Sequence, residues 1–180
     1  MRNCNLKKET DFVKEIAGYF RISPEWSHTS IVVYSEQATL IKRFNESGTL
    51  KDFEMIVDKL PFKGGKARLD EAMYMAASTM FTAENGVRTF EVPKILIVLN
   101  DGAEIAVSQT SKDIASMLRK SEVQVVVVGV GEADKKELGK IVATPDDLIM
   151  VEMFGDAKEK VIALSKQFCP QLGMLKIFIK

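Results

Sequence analysis

The chain has 180 residues, with 25 Lys and Arg balanced by 25 Asp and Glu, one His, two Cys and an apolar fraction of 46%. This is one domain's worth of length, and without a basic excess a nucleic-acid or anionic-membrane partner held by charge is excluded. No apolar run nears the ~18 residues of a membrane span, two cysteines are too few for a disulfide scaffold, and the opening MRNCNLKKETDF lacks the apolar core of a secretory signal.

In chain order, Phe12, Val13, Ile16, Ala17 and Phe20 make a first apolar stripe at helical spacing. TSIVVYS, from Thr29 to Ser35, is short, β-branched and flanked by polar residues, which predicts a strand. ATLIKRF, from Ala38 to Phe44, follows after only Glu36 and Gln37, so the two pair as a hairpin. Phe53, Ile56, Val57 and Leu60 make a second helix, stopped by Pro61, and Leu69, Ala72, Met73, Ala76 and Met80 a third. KILIVLN at 94–100 predicts a strand. Ile114, Met117 and Leu118 then mark a fourth helix, with Thr110 or Ser111 as N-cap. VQVVVVGVG at 123–131 and DLIMVEM at 147–153 are further strands, separated by a short helix at Leu138 and Ile141. Runs this uniformly apolar suit parallel strands covered on both faces. A last helix carries Val161, Leu164, Ser165 and Phe168 and ends by Pro170. Strands alternating with helices predict a layered α/β domain.

Residues with chemical potential have plain structural readings. GVGEAD at 129–134 lacks the third glycine of a dinucleotide fingerprint and puts acids where a pyrophosphate would lie, so it reads as a helix entry capped by Glu132 or Asp134. KGGK at 63–66 lacks P-loop spacing, leaving Lys63 and Lys66 as solvated loop charges. His28 is the only histidine, so every triad scheme would depend on it, and it reads as structural. Asp11, Glu15, Asp70 and Glu71 read as solvated helix faces, and Met73, Met80 and Met117 as core fillers. No catalytic constellation emerges, and the chain reads as a non-enzyme. Asn45-Glu46-Ser47 is a glycosylation sequon in a predicted loop, which agrees with an extracellular setting.

Taken together, Asn5-Leu6 with Asp11-Phe12-Val13, SIVVYSEQATLIKRF, LPFKGGKARLDEAMYMAASTMF, ILIVLNDG and VQVVVVGVGEADKKEL resemble, in order and at family spacing, a von Willebrand factor A domain of the extracellular-matrix type. The resemblance covers about Asn5 to Phe168. It implies a three-layer Rossmann-like α/β fold, with a mostly parallel central sheet, one antiparallel edge strand and helices on both faces. It also implies a binding module of a matrix or adhesion protein, with a protein ligand such as collagen or another matrix protein. Neither nucleic acid nor membrane insertion is expected. The setting implied is extracellular, as part of a larger protein; an intracellular scaffold or assembly domain is the rival reading.

The resemblance also implies a metal site, from which this chain departs. Family members hold Mg²⁺ or a similar ion with Asp-x-Ser-x-Ser after strand one, a Thr after the Gly-Gly loop and an Asp after strand four. Here no Asp-x-Ser-x-Ser occurs, the Thr position falls on Ala67 beside Arg68, and Asp101 is the one residual ligand. A hard cation wants several oxygen ligands in octahedral geometry, so a non-functional site and no cofactor are expected unless the missing motif is restored. Cys4 and Cys169 fall at opposite ends of a family-like fold, so no bridge between them is expected.

Strand one is missing from the amino end, which divides the chain into a truncated domain at 1–169 and a tail at 170–180. Three readings are open: the sequence starts late, the flanking strands close up, or MLKIFIK at 174–180 enters the slot. Leu175, Ile177 and Ile179 would share one strand face. Lys176, Phe178 and Lys180 would share the other, which suits a sheet edge better than a buried centre.

Overall fold

The structure, a computed structural model, describes residues 2–46, 48–61, 65, 67–88, 92–102, 105–168 and 174–179, the side chains at 2–5, 164–168 and 174–179 excepted. Six α-helices and six strands follow one another along them. They are α1 (Arg2–Ala17), β1 (His28–Tyr34), β2 (Ala38–Lys42), α2 (Leu50–Val57), α3 (Leu69–Met75), β3 (Lys94–Asn100), α4 (Gln109–Lys120), β4 (Val123–Val130), α5 (Lys135–Leu138), β5 (Leu148–Val151), α6 (Phe154–Phe168) and β6 (Met174–Ile179). The strands form one sheet in the order β2-β1-β6-β3-β4-β5. Only the β1–β2 pair is antiparallel; the other four pairs are parallel.

The uniform apolar runs follow from helices on both faces. On β3, Ile95, Ile97 and Leu99 face a core with α1, α2 and α6, while Leu96 and Val98 face a second core with α3, α4 and α5. β4 divides likewise, with Val126, Val128 and Val130 to the first core and Val123, Val125 and Val127 to the second. The period-2 alternation of a strand makes every residue core-facing when both sides are covered. The apolar residues of the predicted stripe, four on α1 and Phe20 just after it, are all buried, and the Phe12 ring lies 5.4 Å from that of Phe154 of α6, tilted by 44°.

The tail is where structure and sequence pattern part. Residues 174–179 lie between β1 and β3, with Ile177 in register with both Ile31 and Ile97. Patterning argued for an edge, because Lys176 shares a face with Phe178. The centre wins for a backbone reason. Without β6, β1 and β3 would each present a row of unpaired N–H and C=O groups between two helical layers, at roughly 1–3 kcal/mol for each buried group. Lys180 lies outside the described residues.

Smaller corrections have local causes. The N-cap of α4 is Ser108, whose hydroxyl accepts from the Ser111 N–H at 3.1 Å, and not Thr110 or Ser111. Met117 is 50% exposed and fills no core, whereas Met73 and Met80 are fully buried. α3 runs on into a π-helical turn at Ala76–Met80. β2 stops at Lys42, two residues short of the predicted end at Phe44. Asp147 belongs to a 3₁₀ turn before β5, where its carboxylate accepts from the Thr144 N–H at 3.1 Å.

Candidate functional site

Parallel sheets bind ligands at the carboxyl ends of their strands. Here that end is built from the residues after β1 and β3 and the start of α3. β1 ends in Tyr34-Ser35, and the Ser35 carbonyl accepts from the Arg68 N–H at 2.7 Å, which pins the entry of α3 to the strand tip. β3 ends in Asn100, whose amide closes a turn with Gly102, accepting from its N–H at 3.1 Å and donating to its carbonyl at 3.3 Å. This turn presents Asp101, which is half-buried. Tyr34 is fully buried and donates its hydroxyl to the Leu99 carbonyl at 2.8 Å, joining β1 to β3, the two strands that flank β6. Burial drives the Tyr34 phenol far above its usual range, and the nearby charges of Glu9 and Asp101 push it the same way. Glu9 is itself buried on α1. Sequence reading missed it, since one acid on an amphipathic helix carries no signal of depth.

Beside this rim, Arg68 pairs with Asp70 and Glu71, each at 3.1 Å. The hydrogen bond from Arg68 holds the Asp70 carboxyl below the usual carboxylate range. Glu71 also accepts from the Ala38 N–H at 3.3 Å. Glu71 therefore ties the rim to β2, while Asp70 is held by Arg68, and neither is simply solvated. A groove of about 400 Å³ runs alongside, lined by Ala38, Asp70, Glu71, Tyr74, Met75 and Thr110, with Tyr74 64% exposed.

Of the two rim positions, 67 and 101, at which the family resemblance implies metal ligands, 101 carries a carboxylate and 67 does not. Ala67 offers only a methyl group and is buried, Asn100 is spent on its own turn, and the Arg68 guanidinium lies one residue away. No group of three or more His, Cys, Asp or Glu able to hold a metal occurs among the described residues. A hard divalent ion takes about six oxygen ligands, of which Asp101 would be one carboxylate.

The other candidates fall elsewhere. Gly131 turns with φ +64° and donates to the Val151 carbonyl at 2.9 Å, while Asp134 caps α5 by accepting from Lys136 and Glu137, so GVGEAD is a helix entry. His28 Nε2 meets the Pro24 carbonyl at 2.8 Å at the opposite end of β1. Asp11 pairs with Lys14 at 3.2 Å, and Glu15 pairs with Lys158. Asn45 is exposed in the loop after β2 and donates to the Glu84 carbonyl at 3.2 Å. Ser47 of the sequon, Lys63, Lys66 and the Cys4 and Cys169 side chains lie outside the described residues. No helix among the described residues is long and apolar enough to cross a membrane.

Sequence pattern also missed Lys42. Its residue is 3% exposed, and its ammonium donates to the carbonyls of Thr29 at 2.9 Å, Arg43 at 3.1 Å and Glu46 at 2.7 Å. Burial lowers its pKa to about 8, with the Glu46 charge opposing.

Against known proteins, the family model "von Willebrand factor type A domain" matches residues 1–162. Mouse cochlin is 29% identical over 140 residues, which cover 78% of this chain and 24% of cochlin. The collagen alpha-1(XII) chain of the newt Notophthalmus viridescens is 26% identical over 149 residues, covering 81% of this chain and 15% of the collagen. The chain thus spans a quarter or less of the relatives it matches. Among solved structures, proximal thread matrix protein 1 of the mussel byssus superposes with a TM-score of 0.79 at 22% identity, over 89% of this chain and 41% of that one.

Proposed function

The chain belongs to the von Willebrand factor type A domain family, and from that premise we propose that it is a protein-binding module of the extracellular matrix whose ligand contact needs no metal ion. The family match over residues 1–162 carries the binding role. Support for a matrix setting comes from relatives that are collagen chains. Support for the metal-independent part is the rim residue Ala67, a methyl group at the position where the family resemblance implies a Thr oxygen. A ligand engages the rim and its groove through Arg68, Tyr74 and backbone groups, in place of a carboxylate bridged to an ion. Asn45, in its exposed loop away from the rim, carries an N-linked glycan.

The test is surface-plasmon-resonance binding to immobilised fibrillar collagen, once with millimolar Mg²⁺ and once with EDTA, beside melting curves in both buffers. Equal binding and an equal Tm are expected. A resident ion present at one hundredfold its Kd would add ~2.7 kcal/mol. A clear Mg²⁺-dependent rise in Tm, or binding abolished by EDTA, overturns the metal-independent reading. Absence of binding in both buffers overturns collagen as the ligand.

A further inference from the structure

We propose that the Asn85-Gly86 peptide is a self-modification site. When the turn that holds it opens, the Asn85 amide closes on the Gly86 nitrogen and becomes aspartate or isoaspartate, after which the turn no longer closes. Asn85-Gly86 is the one Asn-Gly pair in the sequence. The attacking atom in this reaction is the backbone nitrogen of the following residue, and glycine has no Cβ to shield it or to restrict the dihedrals that bring it round. Asn3, Asn5, Asn45 and Asn100 are followed by Cys4, Leu6, Glu46 and Asp101, whose side chains crowd the same approach.

The closed turn keeps the reacting groups apart. Asn85 ends a 3₁₀ turn at Ala83–Asn85 and is 3% exposed. Its amide nitrogen donates to the Thr79 carbonyl and to Thr82 Oγ1, the latter at 3.1 Å, while its Oδ1 accepts from the Arg43 guanidinium. The Gly86 N–H, the nucleophile, donates instead to the Ala83 carbonyl at 2.9 Å. Ring closure requires these bonds to break and the side chain to swing over its own carboxyl-side peptide. The protection is nonetheless local. Ala83 and Glu84 are exposed, and the turn leans on the loop after β2 through the Asn45 N–H, which donates to the Asn85 carbonyl at 3.1 Å. Short surface turns open far more often than whole domains unfold.

In the opened turn the Gly86 nitrogen loses its proton and bonds to Asn85 Cγ; the Cγ–Nδ2 bond breaks, and the amide nitrogen leaves as ammonia. Water then opens the succinimide ring. Attack at the side-chain carbonyl leaves aspartate, and attack at the main-chain carbonyl leaves isoaspartate, with the backbone one methylene longer. Neither fits the turn. A carboxylate has no hydrogen to give the Thr79 carbonyl and sets two acceptors against each other. An extra methylene displaces the Asn85 carbonyl from the Asn45 N–H, at a place so close-packed that a Cβ on Gly86 would lie 2.6 Å from that nitrogen. The loop at 43–46 loses its support, and a reversible opening becomes permanent.

The experiment incubates the full chain at about pH 8 and about 37 °C, in native buffer and in unfolding urea, and maps peptides for the mass gain of about 1 Da at each asparagine. In urea, Asn85 should convert before every other asparagine, and Gly86→Ala should slow it. In native buffer the conversion should be at least about tenfold slower, because only the open fraction reacts. Arg43→Ala frees Oδ1 and should raise the native rate without changing the rate in urea. It should do so more, per degree of Tm lost, than Val161→Ala in the core on the other face of the sheet. The converted chain, and the Asn85→Asp variant that reproduces one product, should both melt below the fresh chain. Equal rates in native buffer and urea, an Asn85 that survives in urea, or a converted chain with the fresh Tm overturns the proposal. So does an Arg43→Ala chain that reacts no faster than Val161→Ala predicts, since opening would then be global.

Discussion

Replacing Tyr34 by Phe tests the join between the two halves of the sheet. The ring stays and no cavity opens, so the perturbation is one hydroxyl. That hydroxyl donates at 2.8 Å to the Leu99 carbonyl, and both residues are fully buried. A net hydrogen bond is worth about 1 kcal/mol, and leaving a buried acceptor short adds to this, which places the loss at about 1–2 kcal/mol. For a domain of this size each kcal/mol lowers Tm by about 2–4 °C, so Tyr34→Phe should melt about 2–8 °C lower. Urea unfolding should show a lower midpoint with an unchanged m-value, because the surface exposed is the same. An unchanged or raised Tm would refute the claim that this bond spans the flanks of β6. So would a changed m-value, which would indicate that the phenol supports the structure in another way.

Other outcomes follow from the same physics. The Lys42 pKa is lowered to about 8 in the folded chain by burial, against 10.5 unfolded, so the unfolded chain binds more protons between these values and stability rises with pH across that window. The gap corresponds to about 3 kcal/mol, fully present above the unfolded value and absent below pH 8; Lys42→Met should remove this slope from urea titrations run between pH 7.5 and 10. Gly86 has φ +81°, and a Cβ there would lie 2.6 Å from the Asn45 backbone nitrogen, so Gly86→Ala should cost about 2–4 kcal/mol, read as a lower urea midpoint. Secreted expression should yield a chain whose mass falls on treatment with peptide-N-glycosidase, and Asn45→Gln should abolish that difference; a secreted wild-type chain without the shift argues against the glycan.

Much of the fold was legible because local periodicity is written by burial. The stripe from Phe12 to Phe20 and the runs at 94–100 and 123–131 report their faces directly, since each residue's environment depends on its own position in a helix or strand. The site was legible in part: Asp101 and Ala67 could be placed by the resemblance, yet the Ser35–Arg68 and Tyr34–Leu99 bonds join residues 33 and 65 apart and leave no periodic trace. Lys42 escaped for the same reason. A lysine on an alternating edge strand reads as solvated until three carbonyls from the neighbouring strand and loop are brought around it.

By itself the sequence determined the composition of the layers: which segments are helices and which strands need cover on both sides. The place of residues 174–179 was decided only in three dimensions. Their pattern, with Lys176 among apolar neighbours, describes an edge. The unpaired backbone of β1 and β3 called for a centre, and hydrogen-bond demand between distant strands is a property of the assembled sheet that no single segment encodes.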